Sequence, residues 1–128
     1  MKRSLAILIL LTAIGVGLPS CYKDIISPGA DPNGPPQNVS FSGDVLPILT
    51  TNCTTSGCHD ATPAHHPSLI AEKAYNELLN GGYVNTIAPS SSAIYTMMKG
   101  GAMPPSGTVK PADIQKVYDW IRNGAQNN

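Results

Sequence analysis

Charge is scarce in this chain: eight Lys plus Arg and eight Asp plus Glu among 128 residues, with a formal net charge of zero. No basic stripe or run stands out, so the electrostatic footprint that nucleic-acid binding needs is missing. Aromatic residues are also few, with one Phe, one Trp and five Tyr, and a small domain so composed has a marginal core of its own. Three cysteines are too few for a disulfide scaffold. The apolar run from Leu5 to Leu18 is shorter than the roughly 18 residues of a spanning helix. Paired catalytic carboxylates and a nucleophile elbow are absent, and Gly81-Gly82 and Gly100-Gly101 lack a phosphate-loop pattern.

What is present is Cys53-Thr54-Thr55-Ser56-Gly57-Cys58-His59. Two cysteines followed at once by a histidine are what covalent attachment of a c-type haem requires. The thiols add across the two vinyl groups as thioethers, and the histidine beside the second anchor offers its imidazole to the iron. Four residues separate the cysteines here, where two are commonest. The longer form works if the extra residues bulge away from the macrocycle, and Gly57 supplies the backbone freedom for that. The expectation is one haem c, held by Cys53 and Cys58, with His59 as proximal ligand.

Lys2 and Arg3 precede the short apolar run, the pattern of a secretory signal peptide over residues 1–20. The run ends in Leu18-Pro19-Ser20-Cys21, which resembles a bacterial lipobox and implies that Cys21 is lipidated. Pro19 departs from the usual small or apolar residue at its place. One cysteine then takes lipid and two take haem, so no odd thiol remains in an oxidising compartment. Loss of residues 1–20 leaves six Lys plus Arg against eight Asp plus Glu, a formal charge of −2. The chain is expected to be exported and lipid-anchored to a bacterial membrane, facing the periplasm or the cell surface.

Residues 21–38 carry the lipidated cysteine and a Pro- and Gly-rich stretch with little to bury, which reads as a tether. Extended at about 3.1 Å per residue it would reach roughly 50 Å. The globular domain is then 39–128, and its pattern is all-α. Val45, Leu46, Ile48 and Leu49 form an apolar cluster at helical spacing, with Asp44 expected as N-cap so that Pro47 falls in the first turn. Ala71 to Asn80 and Ser91 to Lys99 read as helices stopped by glycine pairs. Pro111 opens the last helix, where Ile114, Val117, Tyr118 and Ile121 recur at helical spacing before Gly124.

Three stretches in order, Phe41 to Leu49 before the haem motif, Ala102-Met103-Pro104-Pro105, and Ala112 through Ala125, resemble a small monohaem cytochrome c domain of the class I type. The resemblance implies that helices at 45–52 and 112–123 cross beside the haem. It also implies that Met103 is the distal ligand, in a loop held extended by Pro104-Pro105. A soft thioether donor raises the reduction potential and closes the iron to added ligands. Pro67-Ser68-Leu69 resembles the family's Pro-x-Leu stretch, in which the proline carbonyl accepts the N–H of the proximal histidine and the leucine packs on haem. The other reading of Pro67 is that it opens the next helix. Met97 and Met98, on a helical stretch, read as core filling, and His65 and His66, framed by Pro63 and Pro67, as exposed loop residues.

With both axial positions filled, the implied role is electron transfer between a protein donor and a protein acceptor, not enzymatic catalysis. Two alternatives use the same residues: a zinc site of Cys53, Cys58, His59 and His65 or His66, or a haem-free lipoprotein with a Cys53–Cys58 disulfide.

Overall fold

The computed structural model describes residues 33–105 and 107–128, so the expected signal peptide, Cys21 and most of the tether lie outside the described residues. Among the described residues there are four α-helices: α1 (Leu46–Cys53), α2 (Ala74–Asn80), α3 (Ala93–Lys99) and α4 (Pro111–Arg122). No strand forms among the described residues, and none of their helices is long and apolar enough to cross a membrane.

The first helix starts earlier than its apolar pattern suggests. A π-helical turn, Phe41–Val45, runs directly into α1, and its N-cap is Ser40, not Asp44. Ser40 Oγ accepts from the Gly43 N–H at 3.1 Å, while the Ser40 N–H donates to Asp44 Oδ2 at 3.1 Å. The exchange is that of a capping box widened by one residue, as a turn with longer hydrogen bonds demands. Asp44 also meets Lys116 of α4, with Nζ 3.3 Å from Oδ1. Pro47 lies in the opening turn of α1, where its missing N–H costs little.

Residues 71–73 form a turn, so α2 is shorter than Ala71 to Asn80. Pro89–Ser91 is a separate 3₁₀ turn before α3. The glycine pairs end their helices as expected: Gly82 (φ 73°) and Gly101 (φ 70°) take the left-handed conformation that a side chain disfavours. The Tyr83 N–H then returns to the Leu78 carbonyl at 3.0 Å, and the Ala102 N–H to that of Met97 at 3.0 Å.

Helix α4 packs on the π-helical turn and on α3. Phe41, Tyr75 and Trp120 form an aromatic cluster with ring centroids 5.2 to 6.5 Å apart. Trp120 Nε1 donates to the Gln126 carbonyl at 2.9 Å and Tyr75 Oη to that of Ala125 at 3.1 Å, so neither polar tip is left unmatched. Tyr95 stacks on Tyr118 at 4.4 Å. The compact unit begins at Asn33, inside the stretch read as tether. Arg122 Nη2 donates to the Gly34 carbonyl at 2.6 Å and Asn123 Nδ2 to that of Gln37 at 2.6 Å, laying this stretch on the end of α4.

Candidate functional site

The chain leaves α1 at Cys53 and turns back on itself within six residues. The Cys58 N–H donates to the Thr55 carbonyl at 2.9 Å, and the His59 N–H reaches back to that of Cys53 at 3.1 Å. Gly57 sits at φ 81°, and nothing lies within 4 Å of where a Cβ would stand. It is the left-handed conformation, not crowding, that favours glycine there. The Gly57 N–H donates to Asp60 Oδ2 at 2.9 Å, tying the bulge down. Cys53 is half-buried and Cys58 exposed, and both are free thiols. Burial, helped by the nearby Cys58, pushes the Cys53 thiol up to about 11, so it stays protonated near neutral pH.

Past the bulge, residues 67–69 fold against the motif. His59 Nδ1 lies 2.7 Å from the Pro67 carbonyl oxygen, the Leu69 N–H donates to the His59 carbonyl at 2.8 Å, and Ser68 Oγ donates to that of Asp60 at 2.6 Å. A carbonyl only accepts, so the neutral imidazole of His59 carries its proton on Nδ1 and leaves the Nε2 lone pair for another partner. The Pro67 carbonyl is thus the partner of the His59 ring. Pro67 does not open a helix, since α2 begins at Ala74. Leu69 is buried.

Cys53, Cys58, His59, Pro67, Leu69 and Met103 all line one cavity of about 340 Å³, within the size range of small-molecule and cofactor sites, roughly 300–1,000 Å³. Leu49, Leu69, Leu78 and Met98 belong both to its wall and to the buried core. Protein interiors close-pack, with few voids larger than a water molecule. This hollow is lined mainly by apolar side chains and reaches into the core, and it has room for an apolar group of small-molecule size. A second hollow of about 370 Å³, bounded by His66, Asn76, Glu77, Asn80, Gly81 and Tyr83, touches none of the motif cysteines, His59 or Met103.

Three thioethers line the cavity. Met98 is buried as expected of core filling, but Met97 is 48% exposed and Met103 37% exposed. The Met103 N–H donates to the Met97 carbonyl at 3.2 Å, so the Met103-Pro104-Pro105 loop starts from the last turn of α3. Tyr83 lines the cavity too, as do Asn52 and Ile94, which went unnoticed in the sequence, where only helix phase could have pointed to Asn52, one residue before Cys53. His65 and His66 are exposed. His66 Nδ1 stands 3.3 Å from Glu77 Oε2, which also accepts from the Ser68 N–H at 2.6 Å. The Ser68 N–H first, and His66 second, hold the Glu77 carboxyl below the ordinary carboxylate value. Among the described residues no three His, Cys, Asp or Glu side chains converge as a metal site would need. No protein-family model, curated protein or solved structure matches this chain.

Proposed function

We propose that residues 33–128 form a c-type cytochrome domain that carries electrons between protein partners, held at a bacterial membrane by a lipid on Cys21. Bound in the cavity, a haem c would supply one-electron Fe(III)/Fe(II) chemistry. Cys53 and Cys58 would anchor it, His59 Nε2 would take the proximal position, and Met103 the distal one. The observation that carries the reading is His59. Its Nδ1–H is committed to the Pro67 carbonyl at 2.7 Å, and it shares one apolar cavity with both cysteines and a loop methionine.

The chain's own residues set how such a site would behave. The Pro67 bond fixes the imidazole's tautomer and orientation, as partners behind metal-bound histidines do. Leu49, Leu69, Leu78 and Met98 exclude water from the cavity wall and favour a buried apolar ring. With His59 and Met103 both given to the iron, such a group would have no open place for substrate, which would suit a carrier. The lipid would hold the domain near membrane redox partners at high local concentration. A zinc site fits less well, because its thiol and imidazole ligands do not converge here.

The test is the colour of protein expressed with its own leader in a haem-attaching bacterial host. Haem that survives denaturing electrophoresis, with a spectrum that changes between oxidised and reduced states, is the expected result. Colourless protein holding zinc, or with Cys53 and Cys58 joined, overturns the reading. Cys21→Ser is expected to release the haem-bearing domain from the membrane fraction. Retention there equal to the parent would remove the lipid anchor.

A further inference from the structure

Behind His59 lies a second layer. The Pro67–Ser68 peptide is trans. Its carbonyl and N–H therefore point in opposite directions along one dipole. At one end the carbonyl accepts from His59 Nδ1 at 2.7 Å, and at the other the N–H donates to Glu77 Oε2 at 2.6 Å. Ser68 is fully buried, which shields this N–H from water. Glu77 stands in the middle of α2, a rigid platform facing the strap. Its carboxylate also meets His66, and the charge of Lys73 is close by.

We propose that Glu77 is a positioning residue for the iron ligand: its carboxylate, bound to the Ser68 N–H, acts on His59 through the Pro67–Ser68 peptide and sets how strongly the imidazole donates. The inference rests on the reading of His59 as a haem ligand. Hydrogen bonds to ionised acceptors are short and strong, and bonds in a chain polarise one another. A carboxylate pulling on the N–H shifts electron density in the peptide toward its oxygen. The carbonyl then draws the Nδ1 proton more strongly, and the imidazole gains anionic character. A stronger donor favours ferric over ferrous iron and lowers the reduction potential.

The experiment compares Glu77→Gln with Glu72→Gln in the haem-loaded full chain. Gln keeps an acceptor oxygen and removes the charge, and the exposed Glu72 loses the same charge without touching Ser68. Potentials are measured by redox titration, and the His59 Nδ1–H and Ser68 N–H proton resonances by NMR of the reduced protein. Glu77→Gln is expected to raise the potential by roughly a tenfold shift in the one-electron equilibrium, about 59 mV. Both resonances should move upfield, while Glu72→Gln gives under a third of that rise and leaves them in place. Should Glu77→Gln fail to accumulate, Glu77→Asp, whose charge is drawn back by one methylene, must give a smaller rise and smaller shifts in the same directions. Equal potential shifts in the two Gln variants, or a rise without movement of the His59 resonance, overturns the proposal while leaving the cytochrome reading intact. A chain that binds no haem removes that reading and this proposal together.

Discussion

Phe41 and Asn128, 87 residues apart, are joined by a hydrogen bond of 2.8 Å from the Phe41 N–H to Asn128 Oδ1. The Asn128 carbonyl accepts from the Ser42 N–H at 2.8 Å and from Ser42 Oγ at 2.7 Å. The first N–H groups of a helix have no partner within it. Here Asn128 takes the first two and Ser40 the next, so the helix that leads into Cys53 is capped partly by the far end of the domain. Asn128→Ala is expected to lower stability by about 1 kcal/mol, the usual net worth of one such bond. In urea denaturation the midpoint should fall at unchanged slope. An unchanged midpoint would mean that water replaces Asn128 at no cost.

Asp44 closes the same cap, and this gives the fold an acid-sensitive joint. The Ser40 N–H first, then Lys116, hold its carboxyl below the ordinary 3.8. The folded form therefore binds the proton less readily than the unfolded chain. The stabilisation is fully present above the unfolded value and is lost as pH falls through the lower folded one. Glu77, held below its ordinary 4.5, contributes with the same sign. Asp44→Asn should thus be less stable than the parent at pH 7, and the gap should close as pH falls below 3.8. Parallel stability curves across that range would show that the cap carries no charge-dependent stabilisation.

Much of this was legible in the chain because it is local. Ile114, Val117, Tyr118 and Ile121 announce α4 by spacing alone, and each glycine pair marks a helix end because only the left-handed position needs glycine. The π-helical turn was not legible, since Asn128 and Lys116 help to hold it from more than 70 positions away. For the same reason the docking of residues 33–38 on α4 was hidden, as it depends on the reach of Arg122 and Asn123. Cys53, Cys58 and His59 were conspicuous as a motif. Glu77 was not, because its partner is the backbone N–H of Ser68, nine residues back, and no side-chain pattern encodes such a contact.

His59 separates a structural role from a ligand role. Within the protein its side chain makes one hydrogen bond, to Pro67, while its backbone bonds to Cys53 and Leu69 survive any substitution. A structural histidine would therefore cost only about 1 kcal/mol on replacement by Ala. A haem ligand couples folding to cofactor retention, and its loss should be far larger. His59→Ala, and likewise Cys58→Ala, is expected to yield little or no stable haem-loaded protein, measured as haem per chain and melting temperature. A His59→Ala protein with the parent's spectrum and only a small loss of stability would show that His59 is not the ligand.

The distal position is the sharpest question, because Met97, Met98 and Met103 all border the cavity. Met98 is buried in the core, so Met98→Ala should cost about 2–5 kcal/mol through the space it leaves, with little change at the iron. Met103 belongs to a loop pinned at its start to the Met97 carbonyl and continued by two prolines, which restricts where its thioether can go. Met103→Ala is expected to open the iron to carbon monoxide or cyanide. Met103→His should keep the haem attached yet lower the potential, since imidazole favours ferric iron more than thioether does, by about 59 mV for each tenfold change in the one-electron equilibrium. Met97, half-exposed one helical turn before the loop, is the decisive control. If Met97→Ala opened the iron while Met103→Ala left ligand access and potential unchanged, the ligand would lie on α3, and Pro104-Pro105 would serve only to turn the chain toward α4.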